Sequence, residues 1–418
     1  MAGMVISTRV RLILSFLGVS ALGGTLSLAV GSRLIYRAVL REALSRVAQD
    51  LNVAREIYSS RQQRIATGLL VTGLDQGIQT ALISQDGDTL RERTREIAAQ
   101  LQLDFAGFVR PDGSLICRLG SGDGQVLEER ESRVSNLAVT RCLATRSAVA
   151  GSVVLEDTAL SEESPELARL ARIDMVPTRM AAPSAKTVET RGLTITAASP
   201  VFSRGRFAGA VYGGILLNRN ADIVDKVRDT VFQGETLGGR PIGTATIFLY
   251  DLRVATNVIS ESGERAIGTR VSREVKERVL DGGGAWTNRA FVVNDWYVSA
   301  YQPIVDVADA IVGILYTGVL EEKFVAVQRE TVAVFVLITV GGVIVSVALG
   351  AFLGDRLLRP IRELIGLSTR VSQGDLTMIL PRTPCSSARP QISELTSDCK
   401  PRPTSAHAAA QVILEWRS

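Results

Sequence analysis

The sequence predicts an α+β protein: two tandem modules of antiparallel sheet and helix, the first led by a long helix, set between two transmembrane helices and followed by a partial helical region. Three observations carry that prediction. Two uncharged runs are long enough to cross a bilayer, strand-turn-strand blocks lie between them, and one string in the middle occurs twice. Of 418 residues, 46% are apolar and 22% charged, with 47 basic against 43 acidic side chains for a net charge of +4. Mean hydropathy is +0.19, high for a chain that folds wholly in water. So small a net charge gives no footprint for nucleic acid, which needs a concentrated basic stripe.

Residues 1–11 are a short basic N-terminus, expected in the cytoplasm, and residues 12–32 are the first span, 21 residues without a charge. A cleaved signal peptide is the alternative reading, since small residues follow a basic start. From 33 to 84 a long helix is expected, with Leu44, Val47, Leu51, Ala54, Tyr58 and Ile65 at helical spacing. That seam fits equally a helix packed on its own domain and one that pairs subunits.

The first module is placed at 85–220 and the second at 221–329. Phe105 to Cys117 reads as strand, Pro-Asp-Gly turn, strand, and TATIFLYDLRVATNV from Thr244 as a second hairpin turning near Asp251. Gly209-Ala-Val-Tyr-Gly-Gly-Ile-Leu216 and Gly313-Ile-Leu-Tyr-Thr-Gly-Val-Leu320 share the pattern G-x-x-Y-x-G-[IV]-L, each after a proline-bearing strand. A spacing of about one hundred residues indicates a duplicated domain, because solenoid periods are roughly 20 to 50 residues. Asp281-Gly-Gly-Gly284 reads as a hairpin turn, and Gly120-Ser-Gly-Asp-Gly124 as a turn that lacks the spacing of a phosphate loop.

Residues 331–354 are the second span, with 24 uncharged residues, and Arg356, Arg359 and Arg362 follow it. Both termini are therefore read as cytoplasmic and the middle as extracytoplasmic, long loops crossing regardless of their own charge. The body lacks histidine, the single one being His407, and Cys117, Cys142, Cys385 and Cys399 form no C-x-x-C pair. Histidine-based triads and zinc hydrolysis are excluded on that ground, so no catalytic residue, metal or cofactor is expected.

Two spans around a long outward helix and paired α+β modules resemble the double Cache family of bacterial sensors. GTATIFLYDLRVATNV, AIGTRVSREV and NRAFVVNDWYVSAYQPI carry the likeness, over about two thirds of the chain with the helix included. The resemblance implies PAS-like modules that bind a small ligand between a curved sheet and overlying loops. It implies no turnover. In the amino-acid-binding branch an Arg-x-Trp-Tyr string clasps the carboxylate, whereas here Asn294-Asp295-Trp296-Tyr297 has no arginine. Arg289 is the nearest substitute, so the expected ligand site is Arg289, Trp296, Tyr297, Tyr301 and Asp306, for a small molecule such as an organic acid. Core packing is the alternative role for these aromatics.

After the second span, LLRPIRELIGLSTRVSQGDLTMILP is similar to the first helix and connector of a HAMP linker, with Pro360, Gly374, Asp375 and Leu376 matching that pattern. A partial HAMP linker is placed at 355–395 and an irregular tail at 396–418, the chain reading as truncated or frame-shifted before an output domain. The resemblance implies a parallel homodimer in the bacterial inner membrane, with the central region in the periplasm and no enzymatic activity of its own. Its missing output fits a chemoreceptor, a histidine kinase or a nucleotide cyclase. A membrane-tethered periplasmic hydrolase is the reading from a different class.

Overall fold

A computed structural model describes residues 8–119, 126–127 and 133–372. Val10–Gly350 form one compact unit, and Ala351 onward falls in another. The chain begins with α1 (Thr8–Leu74), which carries the first apolar run straight into the extramembrane helix. The helix expected to reach residue 84 is interrupted at Asp75, whose extended backbone and side-chain acceptor for the Ile78 amide at 3.0 Å start a new helix, α2 (Gln76–Ser84). Next comes α3 (Gly87–Leu101), capped in the same way by Asp86.

The first sheet has six strands. It is built from β1 (Phe105–Val109), β2 (Leu115–Leu119), β3 (Val126–Leu127), β4 (Val149–Leu155), β7 (Gly192–Ser203) and β8 (Arg206–Leu216), in the order β3-β2-β1-β8-β7-β4. Between its strands lie α4 (Leu137–Thr145), α5 (Asp157–Glu163), α6 (Pro165–Ala171) and a short pair, β5 (Ile173–Asp174) with β6 (Val188–Glu189). After α7 (Asp222–Phe232) and the short pair β9 (Thr236–Leu237) and β10 (Arg240–Pro241), a second sheet forms. Its five strands are β11 (Gly243–Leu249), β12 (Leu252–Thr256), β13 (Trp286–Val292), β14 (Asp295–Val305) and β15 (Ile311–Leu320), in the order β12-β11-β15-β14-β13. Every pairing within the two sheets is antiparallel.

Both repeated strings are strands, β8 and β15, and both lie inside their sheets rather than at an edge. Their glycines explain the repeat. A Cβ on Gly209 would fall 2.3 Å from the Val109 carbonyl oxygen of β1, and one on Gly313 would fall 2.2 Å from the Phe248 carbonyl oxygen of β11. Each lets a neighbouring backbone approach that no side chain would permit. Pro200 in β7 and Pro303 in β14 lie past the end of pairing with β4 and β13, where no ladder hydrogen bond is asked of them.

One apolar layer runs between the helices and the inner faces of both sheets. Val47, Leu51, Ala54, Tyr58 and Ile65 of α1 are all buried in it, and the Tyr58 hydroxyl meets Ser152 Oγ of β4 at 2.8 Å. The helical seam is thus filled by the chain's own sheets. The other face of the first sheet is covered by α4, α5 and α6, and the other face of the second by residues 257–285. That cover holds α8 (Arg273–Lys276) and a π-helical turn at Glu277–Asp281. Asp281-Gly-Gly-Gly284 is therefore a helix exit and not the expected hairpin turn, because Gly282 N–H caps the π turn on the Glu277 carbonyl.

From Leu320 the chain passes directly into α9 (Glu321–Ser372), which contains the second apolar run. Two helices are thus long and apolar enough to cross a membrane, and they flank the two sheets. Pro360 lies within the helical backbone of α9, while Gly374, Asp375 and Leu376, like the rest of the expected linker and tail, lie outside the described residues. The Gly120–Gly124 turn lies outside them too.

Candidate functional site

The covered face of the second sheet concentrates the polar and aromatic side chains of this half of the chain. Strand alternation places Tyr297, Ser299 and Tyr301 of β14 on one side, and antiparallel register extends that side across the sheet. Trp286 is paired with Tyr301, Tyr301 with Tyr316, Tyr316 with Thr246, and Thr246 with Thr256, which gives one continuous row over five strands. Ring centroids are 5.5 Å apart for Trp286 and Tyr301, 4.7 Å for Tyr301 and Tyr316, and 6.5 Å for Phe248 and Tyr316. The Tyr316 ring folds back over its own strand, so a Cβ on Gly318 would fall 2.1 Å from the Tyr316 hydroxyl.

Arg253 of β12 enters this aromatic layer. It is 3% exposed, its Cζ stands 5.2 Å from the Phe248 ring centroid, and an Nη1 hydrogen donates to Thr269 Oγ1 at 2.8 Å. Its Nε–H has no partner, while the buried Ser299 hydroxyl on the same face interacts with the Tyr301 and Tyr316 hydroxyls. Among the described residues no carboxylate pairs with Arg253; the charges it senses are the hydroxyls of Tyr316, Tyr301 and Tyr297. Burial pushes its pKa below the usual arginine range and pushes all three tyrosines upward. The result is a buried cation with spare donor capacity inside an aromatic box.

The five residues singled out from sequence do not converge. Tyr297 and Tyr301 lie on the covered face. Arg289 and Trp296 lie on the opposite one, because Val292 opposite Asp295 sets a register in which Arg289 faces Val298 and Phe291 faces Trp296. There the Arg289 guanidinium stands 5.1 Å over the Trp296 ring and its Nε is 2.9 Å from Glu321 Oε1, a charge pair outside hydrogen-bond geometry. The expectation that Arg289 shares a cleft with Tyr297 is corrected by that parity. Asp306 belongs to the β14–β15 turn, where Oδ1 accepts the Ala308 and Ala310 amides at 2.7 and 2.9 Å. Its own backbone bridges to Ser152 of the first sheet.

Arg253 escaped the sequence reading. Its signal was a charge in the middle of Leu252-Arg-Val-Ala-Thr256, a strand otherwise fit for burial on both sides.

The first sheet has a counterpart. Tyr212, at the position of Tyr316 in the repeated string, donates to Glu163 at 3.0 and 3.1 Å to its two oxygens, and the buried Arg118 of β2 lies beside them. Arg118 itself donates to the Glu162 carbonyl. Burial raises the Glu163 carboxyl to about 7, with Arg118 and Tyr212 opposing the rise.

Two surface cavities lie elsewhere. One is bordered by Arg46, Asp50, Glu235 and Lys323, and the other, of about 350 Å³, by Arg61, Arg64, Asp222 and Lys226. The first is balanced in charge. In the second, Arg61 already donates to the Gln102 carbonyl at 2.9 Å. Neither touches the aromatic box, and among the described residues no cluster of histidine, cysteine and carboxylates could hold a metal ion.

Residues 215–331 match the family model for Single cache domain 3. The match begins at the end of β8, takes in α7 and the whole second sheet with its Arg253 box, and ends inside α9. No curated protein matches the chain. Among solved structures, it is similar to the periplasmic domain of Vibrio cholerae LuxQ, with a TM-score of 0.36 and 11% identity over 65% of this chain and 98% of that one. It is similar also to the sensory domain of the Campylobacter jejuni chemoreceptor Tlp3 with isoleucine bound, with a TM-score of 0.38 and 10% identity over 70% and 97%. The segment that matches the single Cache domain model lies between two helices long and apolar enough to cross a membrane.

Proposed function

We propose that this chain is a two-span sensory receptor of the bacterial inner membrane that binds a small extracytoplasmic molecule and relays binding through its second membrane helix. In this reading residues 85–220 and 221–329 are tandem Cache modules in the periplasm, residues 355–395 form part of a HAMP linker, and the receptor works as a parallel homodimer without catalytic activity. Its output is chemotactic or two-component signalling by a cytoplasmic domain.

The observation that supports the reading most is the junction of sheet and membrane helix. β15, the central strand of the Cache-matched sheet, runs into α9 with no intervening loop. The first three residues of α9 are then fixed to three different places: Glu321 to Arg289 of β13, Glu322 to Arg240 of β10 at 2.7 Å, and Lys323 to Glu235 beside β9. Arg240 also holds Asp295 of β14 at 2.8 Å. A shift of β15 is therefore passed to the helix through covalent continuity, with the ion pairs setting its angle. A ligand biases this joint only by the difference in its affinity for the two arrangements.

The test is a thermal-shift screen of the full chain in detergent against organic acids, amino acids and amines, followed by hydrogen exchange with each hit. A ligand of the native state raises Tm. The expected hit also changes exchange of the amides around Leu320–Lys323. A ligand that raises Tm and leaves those amides untouched would remove the relay.

A further inference from the structure

We propose that the cavity where α1, β8 and α7 meet binds an organic phosphate, a monoester whose oxygens are held by Arg61, Arg64 and Lys226 and whose body lies over Ile57, Ile215 and Ile223. The site is separate from the covered faces of both sheets and does not depend on the sensor reading above.

Helical spacing builds the cavity. Ile57, Ser60, Arg61 and Arg64 recur at three- and four-residue intervals and share one side of α1, beside the seam buried through Ala54, Tyr58 and Ile65. Asp222, Ile223 and Lys226 bring the first turns of α7 against that side. Ile215 and Ile223 are 4% and 6% exposed, so the floor belongs to the apolar layer, while Ser60, Arg64, Asp222 and Lys226 are exposed and form a rim. The charges on that rim do not balance. Three cations border the cavity against one carboxylate, Asp222, and among the described residues none of the three forms an ion pair. Arg61 feels Asp222 and Asp104 only at longer range, and Asp104 is occupied in accepting the Leu216 amide at 2.7 Å. The ordinary arrangement appears on the same helix, where Arg228 donates to Asp225 and Asp229 at 3.4 and 2.8 Å. It appears also in the other cavity, where Arg46 and Lys323 are matched by Asp50 and Glu235.

Two guanidinium groups and an ammonium, supplied by two helices, suit an anion with several oxygens and two charges; a single guanidinium fork already saturates a carboxylate. One donor of Arg61 goes to the Gln102 carbonyl at 2.9 Å, which fixes the side chain and leaves the rest of its fork free. At about 350 Å³ the cavity has room for an organic body as well as a phosphate, and its isoleucine floor gives that body an apolar seat. A bilayer lipid is not the source of the phosphate. Ile57 lies about 25 residues beyond Ser32, the end of the first uncharged run, and that is about 37 Å along a continuous helix.

The experiment uses the full chain in detergent at ionic strength held constant with sodium chloride. Phenyl phosphate and glycerol 3-phosphate are the probes, phenol and glycerol the neutral controls, and inorganic phosphate a third probe. At least one ester raises Tm saturably while its parent alcohol does not, at lower concentration than inorganic phosphate, and slows amide exchange in the first turns of α7. Arg64→Gln and Lys226→Gln each weaken the response about tenfold, the loss of one charge-assisted contact. Asp222→Asn strengthens it several-fold by removing the one opposing charge, a gain that misfolding cannot imitate. Ser60→Trp fills the cavity and abolishes it, and Arg206→Gln, which removes an exposed cation at the other end of β8, leaves it intact.

No shift with either ester overturns the inference. So does a shift that survives the Arg64→Gln/Lys226→Gln double variant, or one that Arg206→Gln weakens as much as Arg64→Gln, which would be general charge screening. Equal affinity for inorganic phosphate and for both esters would remove the organic body from the proposal and overturn the ligand class. None of these outcomes touches the sensor reading, which fails separately if ligands bind and exchange around Leu320–Lys323 does not respond.

Discussion

Glu163 turns burial into a pH dependence. Its carboxyl is raised from 4.5 to about 7 by desolvation, so across that window the folded state holds a proton that the unfolded state has released. Stability is then greatest below the unfolded value and falls as pH rises toward the folded one, by at most about 3 kcal/mol for this one group. Tm of the chain is expected to decline between about pH 5 and about pH 7, and Glu163→Gln to flatten most of that decline. Asp50, raised to about 6 by burial against the pull of Arg46 and Lys323, adds a decline of the same sign that Glu163→Gln leaves in place. An identical slope in wild type and variant would mean that Glu163 titrates alike in the folded and unfolded chain. Single residues were the least legible part of the sequence. Tyr297 and Tyr301 could be picked out as aromatic anchors, but which side Arg289 takes depends on the two residues that turn β13 into β14. Val293 adopts a φ of 58° there, a conformation unusual for a β-branched residue and invisible to alternation. One residue more or less in that turn would have put Arg289 beside Tyr297.

At the scale of elements, hairpins and repeated strands were readable because each rests on local chemistry. The Pro-Asp-Gly and Asp251 turns reverse the chain where expected, β1 into β2 and β11 into β12. The long helix was legible from its seam but not its end, since Asp75 caps a new helix at once and Gly73 and Gly77 both sit inside helix, where they mark no loop. The joint between β15 and α9 was wholly hidden, because its partners come from β13, from β10 and from beside β9. It yields a test by charge exchange. The Arg289–Glu321 pair has side-chain exposures of 38% and 12%, so it is partly screened and contributes on the order of 1 kcal/mol. Arg289→Glu, which sets two carboxylates against each other, is expected to lower Tm by a few degrees, and the Arg289→Glu/Glu321→Arg double variant to recover most of the loss. Additive losses in the double variant would show that the two residues do not act on each other. A second test concerns the repeated glycines: Gly313→Ala forces a Cβ onto the Phe248 carbonyl and is expected to cost about 1–3 kcal/mol, read from denaturant midpoints, whereas Gly205→Ala, strained at a φ of 77° but with no atom within 4 Å, costs less.

Across the whole molecule, the two apolar helices meet within the chain. Ser20 Oγ donates to Ser346 Oγ at 2.7 Å, a Cβ on Gly24 would lie 2.5 Å from Thr339 Cγ2, and one on Gly350 would lie 3.4 Å from the Phe16 ring. Small residues at such contacts are what close packing in lipid requires, where apolar side chains gain nothing by leaving the acyl chains. These contacts set α9 against α1 of the same chain. The contact can be trapped. In a background where Cys385 and Cys399 are serine, and with Cys117 and Cys142 buried, Ser20→Cys and Ser346→Cys together are expected to form a disulfide under mild oxidation. The cross-linked chain should run as a compact monomer on a non-reducing gel, and neither single variant should shift. Ser20→Cys alone forming a covalent dimer would place that face against a second copy, and the double variant yielding only dimers would mean that α9 packs on the neighbouring chain's α1. With the intrachain bond formed, a ligand that raises Tm is expected no longer to alter exchange around Leu320–Lys323, because the helix to which β15 is joined is then tied to α1.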